Sequence, residues 1–155
     1  MPIKRSAQLA PLSREHHEGL LFAWKLRQGI SKNIDPARIT DFVQWFWQHH
    51  LQSHFEKEEL FLPPVLSEKH PLIRQMIQEH NVIKTLIQSL TPYEVLKKLE
   101  QLANLVTDHI RFEERQLFGE VEKAATPEQL QLLSENLTDE KTAAVWKDAF
   151  WLQSQ

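Results

Sequence analysis

Apolar side chains along this chain return every three or four positions, not every second one, and they group into stretches punctuated by proline and capping residues. The first stretch starts at Ser13, a candidate N-cap, and runs to about Arg27, with His16, Leu20, Ala23 and Trp24 on one side and Gly29 as its stop. Asp35-Pro36, a cap followed by proline at the first helical position, opens a second. Its stripe is Ile39, Val43, Phe46, His50, His54 and Glu58, and it must end or kink at Leu62, before Pro63-Pro64. His70-Pro71 opens a third, with Ile73, Met76, His80, Ile83, Ile87 and Leu90 inward. Thr91-Pro92-Tyr93-Glu94 pairs a capping box with an N-terminal proline and starts a fourth, striped by Val95, Leu99, Leu102, Val106, His109, Glu113 and Leu117.

Thr126-Pro127-Glu128 is a further start, and Leu130, Leu133, Val145, Trp146, Phe150 and Trp151 follow in helical spacing, which predicts one or two extra helices outside the main set. Short connections between the four main stretches predict an all-α, up-down-up-down four-helix bundle. The expected organisation is one domain over residues 1–155, with its core at about 12–121 and a C-terminal extension at about 126–155. Trp45 and Trp47, two positions apart, are expected not to face the core together, and the pattern places neither.

Polar residues inside the apolar stripes change the picture. Twice a Glu-His pair is followed by a His and a Glu four positions apart: Glu15-His16 with His54-x3-Glu58, then Glu79-His80 with His109-x3-Glu113. Positions i and i+4 lie one above the other on a helix, so each His-x3-Glu aims an imidazole and a carboxylate at one point. Folded together, His16, His54, His80 and His109 with Glu58 and Glu113 would surround one pocket with four nitrogens and two carboxylates. Burying two carboxylates is costly unless a cation of total charge about +4 or more sits between them. The duplicated set therefore points to a dinuclear metal site, with Glu58 and Glu113 as bridges. Imidazole and carboxylate suit iron, zinc, copper or manganese. Glu15 and Glu79 read as residues of early helical turns that can also accept from a ligand histidine; Glu59 and Glu114, which repeat with the same offset, read as surface charges.

Composition narrows the alternatives. The chain is 41% apolar and 25% charged, as a globular protein is, and its net charge of -3 without a Lys/Arg run offers no electrostatic basis for nucleic acid. The absence of cysteine excludes disulfides, thiolate-bound zinc and cysteine-held iron-sulfur clusters. No apolar run has signal-peptide or membrane-spanning length, so a cytoplasmic location is expected, with no membrane partner. Glu-x-x-His, His-Glu-x-x-His, Gly-x-Ser-x-Gly and glycine-rich phosphate loops are all missing.

With these residues in hand, the chain resembles the hemerythrin-like, or HHE cation-binding, family. Leu-Ser-Arg-Glu-His near the start carries the likeness, as do His-Phe-Glu-Lys-Glu-Glu-Leu-Phe-Leu-Pro, Gln-Glu-His and His-Ile-Arg-Phe-Glu-Glu in the later helices, over about Leu12 to Val121. The resemblance implies two iron ions, with His16 and His54 on one, His80 and His109 on the other, Glu58 and Glu113 bridging, and an oxo or hydroxo group between them. It also implies O2, peroxide or NO as the small ligand, in sensing, storage or detoxification. A di-iron oxidase or peroxidase is the alternative, and a metal-responsive interaction module using the Trp146 to Trp151 segment is another. Oligomers are compatible with either. One departure stands out: oxygen-carrying members have a further histidine where this chain has Met76, and His50, His17 or water are the candidates to replace it.

Overall fold

The computed structural model describes residues 4–91, 96–137 and 144–153, and every regular element among them is helical. Helix α1 (Ala10–Ser31) packs along α6 (Leu96–Phe112), which also meets α5 (Pro71–Ser89). Between α1 and α5 lies a nearly continuous rod: α2 (Pro36–Phe46), a π-helical turn over Trp47–Leu51, α3 (Gln52–Phe61) and a short α4 (Pro63–Leu66). The last rod continues from α6 through a second π turn, Glu113–Leu117, into α7 (Phe118–Ala124). Helix α8 (Pro127–Asn136) and a single 3-10 turn at Phe150–Leu152 complete the fold. Among the described residues, no helix is long and apolar enough to cross a membrane.

Several start signals act as expected. The Asp35 carboxylate accepts from the Ala37 amide at 3.0 Å, and Thr126 forms a reciprocal capping box with Gln129. His70, at the expected start of the third stretch, caps α5 by accepting the Leu72 amide on Nδ1 at 3.1 Å. The capping box expected at Thr91 to Glu94 lies largely outside the described residues, as does Val95 of its stripe.

The first helix departs from expectation at both ends. It begins at Ala10, before Ser13, whose hydroxyl is engaged with Glu114 instead, and it runs through Gly29. Asn33 takes the left-handed conformation (φ 55°) that ends it, with Ile34 N–H bonded to the Gly29 carbonyl and Asn33 N–H to that of Ile30. Gly29 serves packing: a Cβ there would lie 2.8 Å from the Phe150 ring and 2.9 Å from Ile39. Leu20 and Trp24 face solvent, and the buried stripe is Leu12, His16, Gly19, Phe22, Ala23 and Leu26.

The π turn at Trp47–Leu51 also changes a stripe. Buried positions on this rod run Ile39, Phe42, Val43, Phe46, then Leu51, His54, Phe55 and Glu58. The step from Phe46 to Leu51 is one residue longer than an α-helical turn allows, and the π insertion absorbs it. His50 is thereby left half-buried, off the stripe, stacked on Phe46 with ring centroids 5.0 Å apart. Trp45 and Trp47 both become partly buried against the core, Trp45 beside Phe42 and Trp146, Trp47 edge-on to Phe55.

Of the one or two extra helices expected, α8 is one; the last described segment is not α-helical. Residues 144–149 are irregular and lead into the 3-10 turn, which inserts Phe150 against Phe42 and Gly29. Asp148 forms a two-point pair with Arg38 (2.6 and 2.8 Å), and Lys25 Nζ stands 4.1 Å over the Trp151 ring. Trp146 and Trp151 are packed on the bundle, which removes the basis for an interaction module built on them. Phe150→Ala is expected to destabilise by about 3–5 kcal/mol, read as a lowered urea midpoint.

Two apolar clusters fill the bundle. One contains Phe22, Phe42, Phe55, Ile83, Val106 and Phe150, the other Leu12, Leu62, Met76, Phe112 and Phe118. On α1 and α5 the crossover from one cluster to the other falls at His16 and His80; on the other two rods it falls just past His54 and His109, between Phe55 and Leu62 and between Ile110 and Phe112, so a polar layer separates them.

Candidate metal centre

In that layer the four imidazoles turn their Nε2 edges toward two carboxylates that are wholly buried. Glu58 lies 3.2 Å from His54 and 3.0 Å from His80, with His16 at 3.6 Å. Glu113 lies 2.7 Å from His16 and 3.1 Å from His109, with His80 at 3.5 Å. The i, i+4 spacing puts each His-x3-Glu on one face, and Phe118 stacked on His16 and Phe55 on His80 hold the remaining rings. Two overlapping foursomes result, His16, His54, Glu58, Glu113 and Glu58, His80, His109, Glu113, each offering one atom per residue within 4.8 Å of the others. All six residues singled out in the sequence are brought together.

Behind the imidazoles stands a ring of four further carboxylates. His54 Nδ1 meets Glu15 at 2.8 Å, His80 Nδ1 meets Glu59 at 2.7 Å, and His109 Nδ1 meets Glu79 at 2.8 Å. His16 Nδ1 faces Glu114 more loosely, at 3.4 Å. Glu59 is exposed, as expected, and Glu114 half-buried, yet each also faces a buried histidine. Each helical rod lends a carboxylate to the histidine of the next in chain order, and the last lends one back to the first. The acceptors are held in turn: Glu15 by Lys57 at 2.7 Å, Glu79 by Gln75 at 2.9 Å, Glu114 by Ser13 at 2.9 Å and by Arg5. A carboxylate on Nδ1–H selects the tautomer whose Nε2 lone pair points inward, the orientation and basicity a metal ligand needs.

The electrostatics show how such a pocket exists without a cation. Burial alone would lower the four imidazoles, but the carboxylates override it: His16 and His80 are held well above the usual histidine value, His54 is raised, and His109 is brought to about 9. Burial and Glu113 push Glu58 up, yet the imidazoles win and take it to about 2. Glu113 is likewise lowered, chiefly by His109 against its burial. Protons on the imidazoles thus neutralise the two carboxylates. Even so, His54 Nε2, His109 Nε2, Glu58 Oε2 and Glu113 Oε2 are buried without a hydrogen-bond partner. Nitrogen and oxygen donors in this surplus, converging on two points, fit a pair of cations.

The residues considered as replacements at Met76 do not join either foursome. His17 is exposed, His50 stands off the stripe, and Met76 itself is fully buried in the second apolar cluster. Of the outer carboxylates, Glu15 and Glu79 take the acceptor role the sequence allows them, while that of Glu59 and Glu114 is missed; the shared offset of Glu58-Glu59 and Glu113-Glu114 is the available signal. Glu59→Gln and Glu79→Gln are each expected to weaken metal affinity about ten- to a hundredfold, read by competition with a chelator, while helix content stays unchanged.

No curated protein and no solved structure matches the chain. The model of the hemerythrin HHE cation binding domain matches it over residues 9–121, most of its length. With that match standing beside a buried cluster of histidine and glutamate, the chain belongs to the hemerythrin HHE cation-binding domain family.

Proposed function

We propose that the centre holds two iron ions, His16 and His54 on one, His80 and His109 on the other, with Glu58 and Glu113 shared, and that the protein binds O2, peroxide or NO there in sensing, storage or detoxification. The observation that supports this is the pair of buried foursomes meeting at two common carboxylates. When bound, the ions supply open coordination positions and a change of oxidation state. The protein's own part is to fix the six donors, exclude bulk water with the two apolar clusters, and orient each imidazole through its outer carboxylate. Metal analysis and an absorption spectrum test the reading: two irons per chain and near-ultraviolet charge-transfer bands are expected. Substoichiometric metal after reconstitution with ferrous iron would sink it.

A second reading, a di-iron oxidase or peroxidase, is favoured by one observation. A cavity of about 390 Å³ adjoins His16, His54 and His109. Steady-state turnover with peroxide over a panel of reductants is its signature, and none at all would dispose of it.

A further inference from the structure

The cavity beside the centre is far larger than a diatomic ligand needs. At about 390 Å³ it falls in the range of organic-ligand sites, and a dry apolar cavity of roughly 150 Å³ already takes benzene. One end is formed by the buried imidazoles of His16, His54 and His109, and the other reaches solvent at Glu18 and His49, both exposed. Its walls between are Phe46, Leu51, Phe55, Ile83, Val106 and Ile110.

Three features define what such a space accepts. The apolar walls require an apolar body, and the phenyl rings of Phe46 and Phe55 favour a flat aromatic one. Among the described residues neither lysine nor arginine lines the cavity, whereas Glu18 stands exposed at its mouth, so an anion is repelled on its way in. At the inner end the imidazoles of His16, His54 and His109 border the proposed ions, whose open coordination positions call for one polar group on the ligand. A neutral hydroxyl satisfies this: it passes the acidic mouth and offers both a proton and an oxygen donor on arrival.

We infer that this cavity is a binding site for a neutral, single-ring phenol, its ring against the apolar walls and its hydroxyl directed at the histidine end. The hydroxyl's anchor rests on the di-iron reading above; the fit of the ring rests on the cavity alone.

The test is calorimetric titration of p-cresol into the protein as purified, with metal counted on the same sample. One saturable site per chain is expected, at least tenfold weaker for toluene, which lacks the hydroxyl, and with no binding of benzoate, the anion. Val106→Phe, which fills the wall, and Leu51→Trp, which fills the space beside the π turn, are each expected to weaken p-cresol at least tenfold while keeping the wild-type metal content. Absence of saturable p-cresol binding, equal affinity for toluene, or unchanged affinity in both variants would overturn the inference. Where either variant fails to fold, 4-bromophenol soaked into crystals of the wild-type protein decides: an anomalous bromine peak belongs between Phe46 and Ile110, and a peak elsewhere or none overturns it. A sample with two irons and no p-cresol site leaves the di-iron reading intact, and one with no metal fails that reading while the titration still judges the cavity.

Discussion

Replacing Glu58 or Glu113 with glutamine is expected to empty both metal positions at once, whereas His54→Ala, on one side only, is expected to impair one. The asymmetry follows from the sharing: each carboxylate belongs to both foursomes, and each histidine to only one. Glutamine keeps the shape and removes the charge, so a site that had balanced two cations against two carboxylates loses half its protein anion. Affinity should fall by more than the ten- to hundredfold typical of losing an outer partner. The variant should also be less stable without metal. Glu113 is wholly buried and within 3.5 Å of three imidazoles, and removing one member of such a buried charge group costs about 3–5 kcal/mol. Iron content by plasma emission and thermal melts, taken on Glu58→Gln, Glu113→Gln and His54→Ala together, check the pattern. Two irons per chain in either glutamine variant would refute the bridging assignment.

The second large effect concerns pH, and its sign depends on metal. In the metal-free protein His109 is raised from an ordinary 6.5 to about 9, so its contribution to stability is complete below pH 6.5 and lost as pH rises through about 9. The size is on the order of 3 kcal/mol for this buried ring. Glu58 is lowered from 4.5 to about 2, so its contribution is complete above pH 4.5 and lost as pH falls through about 2. Metal-free protein should therefore melt highest between about pH 4.5 and 6.5 and lose thermal stability toward pH 9. With metal in excess the trend reverses over the neutral range: the same protons must leave the imidazoles before the ions can bind, so rising pH strengthens binding and raises the melting temperature. Melts from pH 6 to 9 with chelator and with ferrous iron under nitrogen give the two slopes. Slopes of the same sign would show that metal and protons do not compete for these nitrogens.

Helix existence and the six inward histidines and glutamates were legible because they rest on local rules: proline and capping residues for the starts, and i, i+4 spacing for His54-Glu58 and His109-Glu113. The misplaced residues share a cause that periodicity cannot carry. His50 fits the stripe of an ideal helix, and only the extra residue absorbed at Trp47–Leu51 turns it aside. Gly29 resembles a helix stop, yet the partner that makes it necessary, Phe150, lies far along the chain. Trp146 and Trp151 have α-helical spacing, but Trp146 lies in irregular chain and Trp151 in a 3-10 turn, both packed against Phe42. Glu59 and Glu114 appear solvent-facing when one helix is viewed alone; the neighbouring rod's imidazole makes them acceptors.

The ring of outer carboxylates has an interchange property. Exchanging the first two rods with the last two maps Glu15–His54 onto Glu79–His109, and Glu59–His80 onto Glu114–His16. Two of the four contacts lie within a half and two lie between halves, which is the arithmetic of an isologous dimer. A single helical hairpin, paired with an identical copy about a twofold axis, would thus own every type of contact that the four histidines make with the outer carboxylates, and the one chain here carries two hairpins of that pattern in tandem.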